Sequence, residues 1–138
     1  MAEFVCDVTL QDRTYYPTNT VLTKTWKMKN SGDNEWGDAV ELVFFKGNES
    51  LTLEKRYPVL NAQPGQEVEV SAVIKTPEKP GRYCSYYRLQ RNGEYYGPRV
   101  WVDIFAVDEN DTDSMNLIAE NQHKHKQKKA NDKCKEKE

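Results

Sequence analysis

The side chains that most often do covalent or metal chemistry are poorly placed for it in this sequence. Its two histidines, His123 and His125, fall in the run HKHKQKK near the C-terminus, away from any Ser or Cys that an imidazole could activate within a folded unit. Three cysteines, Cys6, Cys84 and Cys134, make an odd count and follow no metal-ligand spacing. Carboxylates are many, but they fall mostly at positions that alternate onto solvent faces. No catalytic residue, metal or cofactor is therefore expected. HKHKQKK could contact phosphate or an acidic surface, or hold a transition metal weakly, although a solvated charge run is the plainer reading. What the chain does concentrate is aromatic rings near arginine: Tyr86, Arg99 and Trp101, extended by Tyr95 and Tyr96. That is the composition of a protein-interaction hot spot, and equally of packing beneath a loop.

Those residues need a scaffold, and the sequence supplies strands. Short β-rich runs separated by turn residues cover Phe4 to Leu10, Val21 to Asn30, Ala39 to Lys46, Ser50 to Lys55, Gln66 to Lys75, Gly81 to Arg91 and Arg99 to Val107. The spacing predicts an all-β immunoglobulin-like antiparallel β-sandwich of about seven strands. Alternation is cleanest in Gln66 to Lys75, where Val68, Val70, Ala72 and Ile74 share one face. In Val21 to Asn30, Leu22, Trp26 and Met28 share a face on which Lys24 is a misfit. Asn92-Gly93 is a strong two-residue hairpin signal and would pair residues whose numbers sum to 185, among them Tyr83 with Val102, Arg82 with Asp103, Cys84 with Trp101 and Tyr86 with Arg99. Gly97-Pro98 is a place where a bulge could shift that register. Tyr95 and Tyr96, being adjacent, aim at opposite faces, so one of them should be exposed.

The stretch KPGRYCSYYRL, Lys79 to Leu89, has the tyrosine corner of an immunoglobulin sandwich at Tyr83, with Ser85 where the disulfide cysteine would stand. Cys84 points the other way by strand parity. Three reduced thiols are the expectation, with a Cys6 to Cys84 bridge as the alternative.

Together, KTWKMKNSGDNEW (Lys24 to Trp36), QPGQEVEV (Gln63 to Val70), KPGRYCSYYRL and YGPRVWVDI (Tyr96 to Ile104) resemble the FW, or four-tryptophan, domain of the neighbour-of-BRCA-type selective autophagy receptors. Three of that family's tryptophans map onto Trp26, Trp36 and Trp101, and the remaining position holds Tyr87. With the corner Tyr83, Trp26, Trp36 and Tyr87 are expected to be structural residues. The resemblance implies a non-enzymatic module that docks protein partners, including autophagic cargo. The absence of a signal-peptide start and of a membrane-spanning run in this sequence makes cytoplasm the expected location, with the autophagosome or nucleus as further settings. No specific nucleic acid and no membrane insertion are expected. The PB1, zinc and ubiquitin-associated modules of such receptors have no room in 138 residues. YPVL at Tyr57 and YYRL at Tyr86 fit the short aromatic-x-x-aliphatic docking pattern, but both fall in segments expected to be folded. The alternatives are an FW adaptor in immune or transcriptional regulation, a structural subunit of a larger cytosolic assembly, and an extracellular adhesion or glycan-binding sandwich.

Composition sets the limits. All 15 aromatic residues lie at or before Phe105. Beyond Val107 the chain carries five acids and no base from Asp108 to Glu120, then seven lysines against three acids from Asn121 to Glu138. Such a segment buries too little apolar surface to offset its ordering entropy, so 4–107 is expected to fold and 108–138 to form a disordered charged tail. No apolar run reaches the roughly 18 residues of a membrane span, and Met1 to Leu10 lacks a signal peptide's basic start and apolar core.

Overall fold

The computed structural model describes residues 1–113 and 115–121. In chain order the strands are β1 (Ala2–Asp7), β2 (Thr14–Pro17), β3 (Val21–Asn30), β4 (Val40–Gly47), β5 (Arg56–Pro58), β6 (Glu67–Lys75), β7 (Gly81–Arg91) and β8 (Glu94–Val107). They form two sheets, ordered β1-β3-β6 and β2-β8-β7-β4-β5. Every pairing is antiparallel except that of β2 with β8.

The core forms where the alternating faces of the two sheets meet. From β6 come Val68, Val70, Ala72 and Ile74, and from β7 and β8 come Tyr87, Leu89, Val100, Val102 and Ile104, all buried. Trp26 of β3 is 0% exposed, and its indole N–H crosses the sandwich to donate to the Trp101 carbonyl on β8 at 3.0 Å. This bond ties the two sheets together, as does that from the Tyr57 hydroxyl of β5 to Val73 O of β6 at 2.9 Å. Trp36 closes one end of the sandwich. Its backbone N–H donates to Ala62 O at 3.0 Å and its indole N–H to Met1 O at 3.2 Å, and its ring meets Tyr96 edge-on at 6.0 Å. The corner forms as expected, with the Tyr83 hydroxyl donating to Lys79 O at 2.5 Å.

Lys24, the misfit on the apolar face of β3, is fully buried. Its ammonium donates to Asp7 Oδ1 at 2.7 Å, Thr9 O at 2.8 Å and Leu10 O at 2.9 Å, so all three of its protons are placed. The same contacts hold the turn after β1, where Leu10 sits at φ 51°, a left-handed conformation that costs a non-glycine residue strain.

Tyr87 fills the space between Trp26 (centroids 5.4 Å apart) and Phe44 (6.0 Å), and it is 0% exposed. Its hydroxyl has no hydrogen-bond partner. Thr52 and Ser85 lie nearby, but their oxygens are engaged with Glu54 O, Tyr57 and Asn48 O. Burial pushes the Tyr87 phenol up to about 12, and these neighbours pull it down less strongly. Since the folded value lies above the ordinary value near 10, the stabilisation tied to the neutral phenol is whole below pH ~10 and is lost as pH rises toward ~12. Tyr87→Phe is expected to be neutral or to stabilise by up to about 1 kcal/mol at pH 7, and to flatten the loss of stability between pH ~10 and ~12. Urea unfolding at both ends of that range checks this. A loss above about 1 kcal/mol at pH 7 would mean that the hydroxyl is bonded after all.

Several expectations need correction. The strand placed at Ser50 to Lys55 is instead a 3-10 turn at Glu49–Leu51 followed by the short edge strand β5. β2 was not expected; four residues ending in a proline carry little pattern, and its parallel pairing to β8 is a long-range choice. In the β7-β8 hairpin the numbers sum to 185 only near the turn, as in Leu89 with Tyr96. Past the Gly97-Pro98 bulge the pairs become Tyr87 with Val100, Tyr86 with Trp101, Cys84 with Asp103 and Tyr83 with Ile104. Gly97 takes φ 73° there, and a Cβ on it would lie 2.8 Å from the Ala2 Cβ.

The charged tail is not wholly without structure. Residues 112–121 are helical, apart from undescribed position 114, with Leu117 and Ile118 half-buried and Asn121 buried. The Asn121 amide accepts from Tyr15 N–H at 2.7 Å and donates to Tyr15 O, so one side chain pairs with the outer edge of β2 as a neighbouring strand would. Cys84 is a free thiol, so the Cys6 to Cys84 bridge is not made. The expectation of three reduced thiols rests also on Cys134, which, with the HKHKQKK run, lies outside the described residues.

Candidate partner-binding face

Strand parity sends alternate residues of β7 and β8 to the core and to the outer surface of the five-stranded sheet. Outward from β8 come Tyr95, Arg99, Trp101, Asp103 and Phe105; outward from β7 come Arg82, Cys84, Tyr86 and Arg88. Tyr86 and Trp101 are directly opposite, with ring centroids 5.7 Å apart and planes tilted by 49°. Arg99 places its guanidinium carbon 5.5 Å from the Tyr86 ring centre, and Lys46 of β4 brings its ammonium to 5.1 Å from the same ring. Both rings are half-buried, while Arg99 and Lys46 are exposed. Three of the five expected site residues, Tyr86, Arg99 and Trp101, therefore form one cluster.

Tyr95 extends it toward the hairpin. It is 44% exposed, packs edge-on against Phe45 at 5.6 Å, and has the Arg88 guanidinium 5.3 Å from its ring centre. Tyr96 does not join. It turns inward against Trp36 with its hydroxyl buried and unpartnered, and burial pushes that phenol up to about 12. Sequence reading also missed Phe45 and Lys46. A bulge between Phe44 and Lys46 breaks the parity of β4, so Phe44 packs on Tyr87 while Phe45 meets Tyr95 and Lys46 meets Tyr86. Nothing local in VFFKG marks that break except its glycine. Gly47 holds φ 105° against the β7 backbone, where a Cβ would come within 2.5 Å of Cys84 O.

At the other end of the face, Arg82 grips Asp103 through two bonds, Nε to Oδ1 at 2.9 Å and Nη2 to Oδ2 at 2.7 Å. The expected Arg82 to Asp103 pair thus forms diagonally, although Phe105 is Arg82's partner in the ladder. Tyr15 stacks on Phe105 at 4.8 Å beside it. Cys84 lies between the two ends. Burial is the main cause raising its thiol pKa, with a smaller opposing effect from the hydrogen bond to Tyr86, so it is a poor nucleophile at neutral pH. No group of three or more His, Cys, Asp or Glu among the described residues is arranged to hold a metal ion.

Of the two short docking patterns, YPVL has Tyr57 buried, with its hydroxyl bonded to Val73 O and close to Thr52, and YYRL has Leu89 fully buried. Neither is open to a partner in this fold. No helix among the described residues is long and apolar enough to cross a membrane.

A two-sheet sandwich with a tyrosine corner and an aromatic outer face, rather than a polar cleft, defines an immunoglobulin-like domain whose chemistry is that of a surface. The family model described as "Ig-like domain from next to BRCA1 gene" matches residues 9–106, and the chain belongs to this family. Over 107 residues the chain is 36% identical to Protein JOKA2 of Solanum tuberosum, covering 75% of this chain and 12% of that protein. It is equally identical to Next to BRCA1 gene 1 protein of Homo sapiens, covering 76% and 11%. Protein ILRUN of Danio rerio is 32% identical, covering 77% and 37%. The chain thus spans roughly an eighth of the length of the first two. Among solved structures, native E. coli alpha-2-macroglobulin superposes with a TM-score of 0.54 at 11% identity, over 78% of this chain and 6% of that one, a likeness of fold alone.

Proposed function

We propose that this domain is a non-enzymatic protein-interaction module that docks partners on the outer face of its five-stranded sheet. The observation that carries this is the Tyr86-Trp101 pair flanked by Arg99 and Lys46. Large rings held still by their neighbours offer contact area at little entropic cost, and cations border them. The half-buried thiol Cys84, whose pKa burial raises, favours binding over nucleophilic catalysis. Membership of the next-to-BRCA1 family, with the resemblance to selective autophagy receptors, supports cargo recruitment in selective autophagy as the setting and cytoplasm as its place.

The test is a pull-down comparing wild type with Tyr86→Ala and Trp101→Ala, each checked for folding by circular dichroism. Both substitutions trim rings that are only half-buried, so the fold should persist. Each is expected to weaken the same retained proteins by at least about tenfold, the scale of a hot-spot truncation. If both variants fold and keep every partner, this face is not the docking site.

A further inference from the structure

We infer that the partner presents an acidic segment, with carboxylates interspersed among apolar residues; this rests on the docking-face reading above. The face has a local surplus of positive charge in a chain whose formal net charge is -2. Two of its carboxylates are engaged, Asp103 by Arg82 and Glu41 by Arg56 at 3.2 Å, and a third, Asp12, lies near Cys84, away from Lys46 and Arg99 in sequence and strand. Lys46, Arg88 and Arg99 have no ion pair among the described residues, and each is instead placed over an aromatic ring.

That placement fixes how the surplus is offered. A guanidinium lying on a ring keeps its five N–H groups in its own plane, directed sideways, where a carboxylate can be met by two parallel bonds. Arg99 is exposed with its guanidinium carbon 5.5 Å from the Tyr86 ring centre, so its donors remain open to a carboxylate beside that ring. Arg88 is partly committed, one nitrogen donating to Gly97 O at 2.8 Å, while its Nε is buried without a partner. Between these cations lie Tyr86, Trp101, Tyr95 and Phe45, which suit apolar side chains. Cations beside aromatic rings also suit single-stranded nucleic acid. Here, however, Tyr86 and Trp101 pack against each other instead of standing free to stack bases.

The test uses the full chain, isotopically labelled, titrated with a short peptide alternating Glu and Leu, its Lys and Leu counterpart, and an oligothymidylate. Lys46→Glu/Arg99→Glu serves as the charge-reversed variant. Lys46→Gln/Arg99→Gln is kept in case the first misfolds. The lysines after Asn121 attract any acidic peptide, so the readout is the difference between wild type and variant, together with the amides that move. The inference predicts shifts at Tyr86, Arg99 and Trp101 with the acidic peptide, about tenfold or greater weakening in the reversed variant, and a gain there for the lysine peptide. Equal affinity of wild type and variant for the acidic peptide overturns it. So does binding of oligothymidylate, but not the acidic peptide, at this face. The pull-down separates this from the broader reading. If partners are lost with Tyr86→Ala but kept with the charge-reversed variant, the face stands and the acidic partner does not.

Discussion

Trp26→Ala is expected to remove about 3–5 kcal/mol of unfolding free energy, enough to lower the Tm by more than about 10 °C. The indole is 0% exposed, and an aromatic ring of this kind buries roughly 150–250 Å², worth some 4–6 kcal/mol at about 25 cal/mol per Å² before relaxation. Three further contacts depend on it: the edge of Tyr87, the Lys24 ammonium 5.6 Å from its ring centre, and the Trp101 carbonyl. Trp26→Phe restores most of the area but not the N–H donor. It should recover more than half of the loss while leaving Trp101 O without this bond on the inner side of the candidate face. Denaturant unfolding of both variants separates packing from the hydrogen bond. A loss below about 1 kcal/mol for Trp26→Ala would mean that the centre of the sandwich is not packed as described.

The second large effect belongs to Lys24. Lys24→Met keeps the stem and removes the charge, leaving the nearly buried Asp7 carboxylate, 9% exposed, without this ammonium and the Thr9 and Leu10 carbonyls without their donor. Removing one partner of a buried pair costs about 3–5 kcal/mol, because the other charge stays out of water. Asp7→Asn in the same background should recover part of that, and the double-mutant cycle gives the coupling. Because the pair is shielded, its contribution should change little between low and high salt, unlike the exposed Lys55 to Glu49 pair. If Lys24→Met costs less than about 1 kcal/mol, the buried ammonium is not what holds the left-handed turn at Leu10.

Much of this architecture could be read before any coordinates, because it rests on parity. Val68, Val70, Ala72 and Ile74 alternate inward as their spacing requires, and Tyr83 makes the corner. Even the misjudged hairpin kept its faces. The Gly97-Pro98 bulge shifts the pairing sum by two, an even number, so Tyr86 and Trp101 remained on one side while their partners changed. Lys24 was visible as an anomaly but not as an ion pair, since its partners Asp7, Thr9 and Leu10 arrive from another strand and its turn.

What escaped the sequence was set by contacts distant along the chain or by broken parity. β2 exists because β8 runs on far enough to pair with it. The helix at 112–121 carries no aromatic and would not order itself; its anchor is Asn121, 106 residues from the Tyr15 backbone it meets. Phe45 and Lys46 reach the face only through a bulge, and Tyr96 leaves it because Trp36 waits on the inner side. The family resemblance found the tryptophans, but it could not say that Tyr87 would bury a hydroxyl with nothing to bond.

The most direct test of the account is an amide NMR map of the labelled chain saturated with a partner protein retained in the pull-down. The outer face predicts that the largest changes cluster on Tyr86, Arg99, Trp101, Tyr95 and Lys46, with β1, β3 and β6 little moved. Changes concentrated on β1, β3 and β6, with Tyr86 and Trp101 silent, would contradict it.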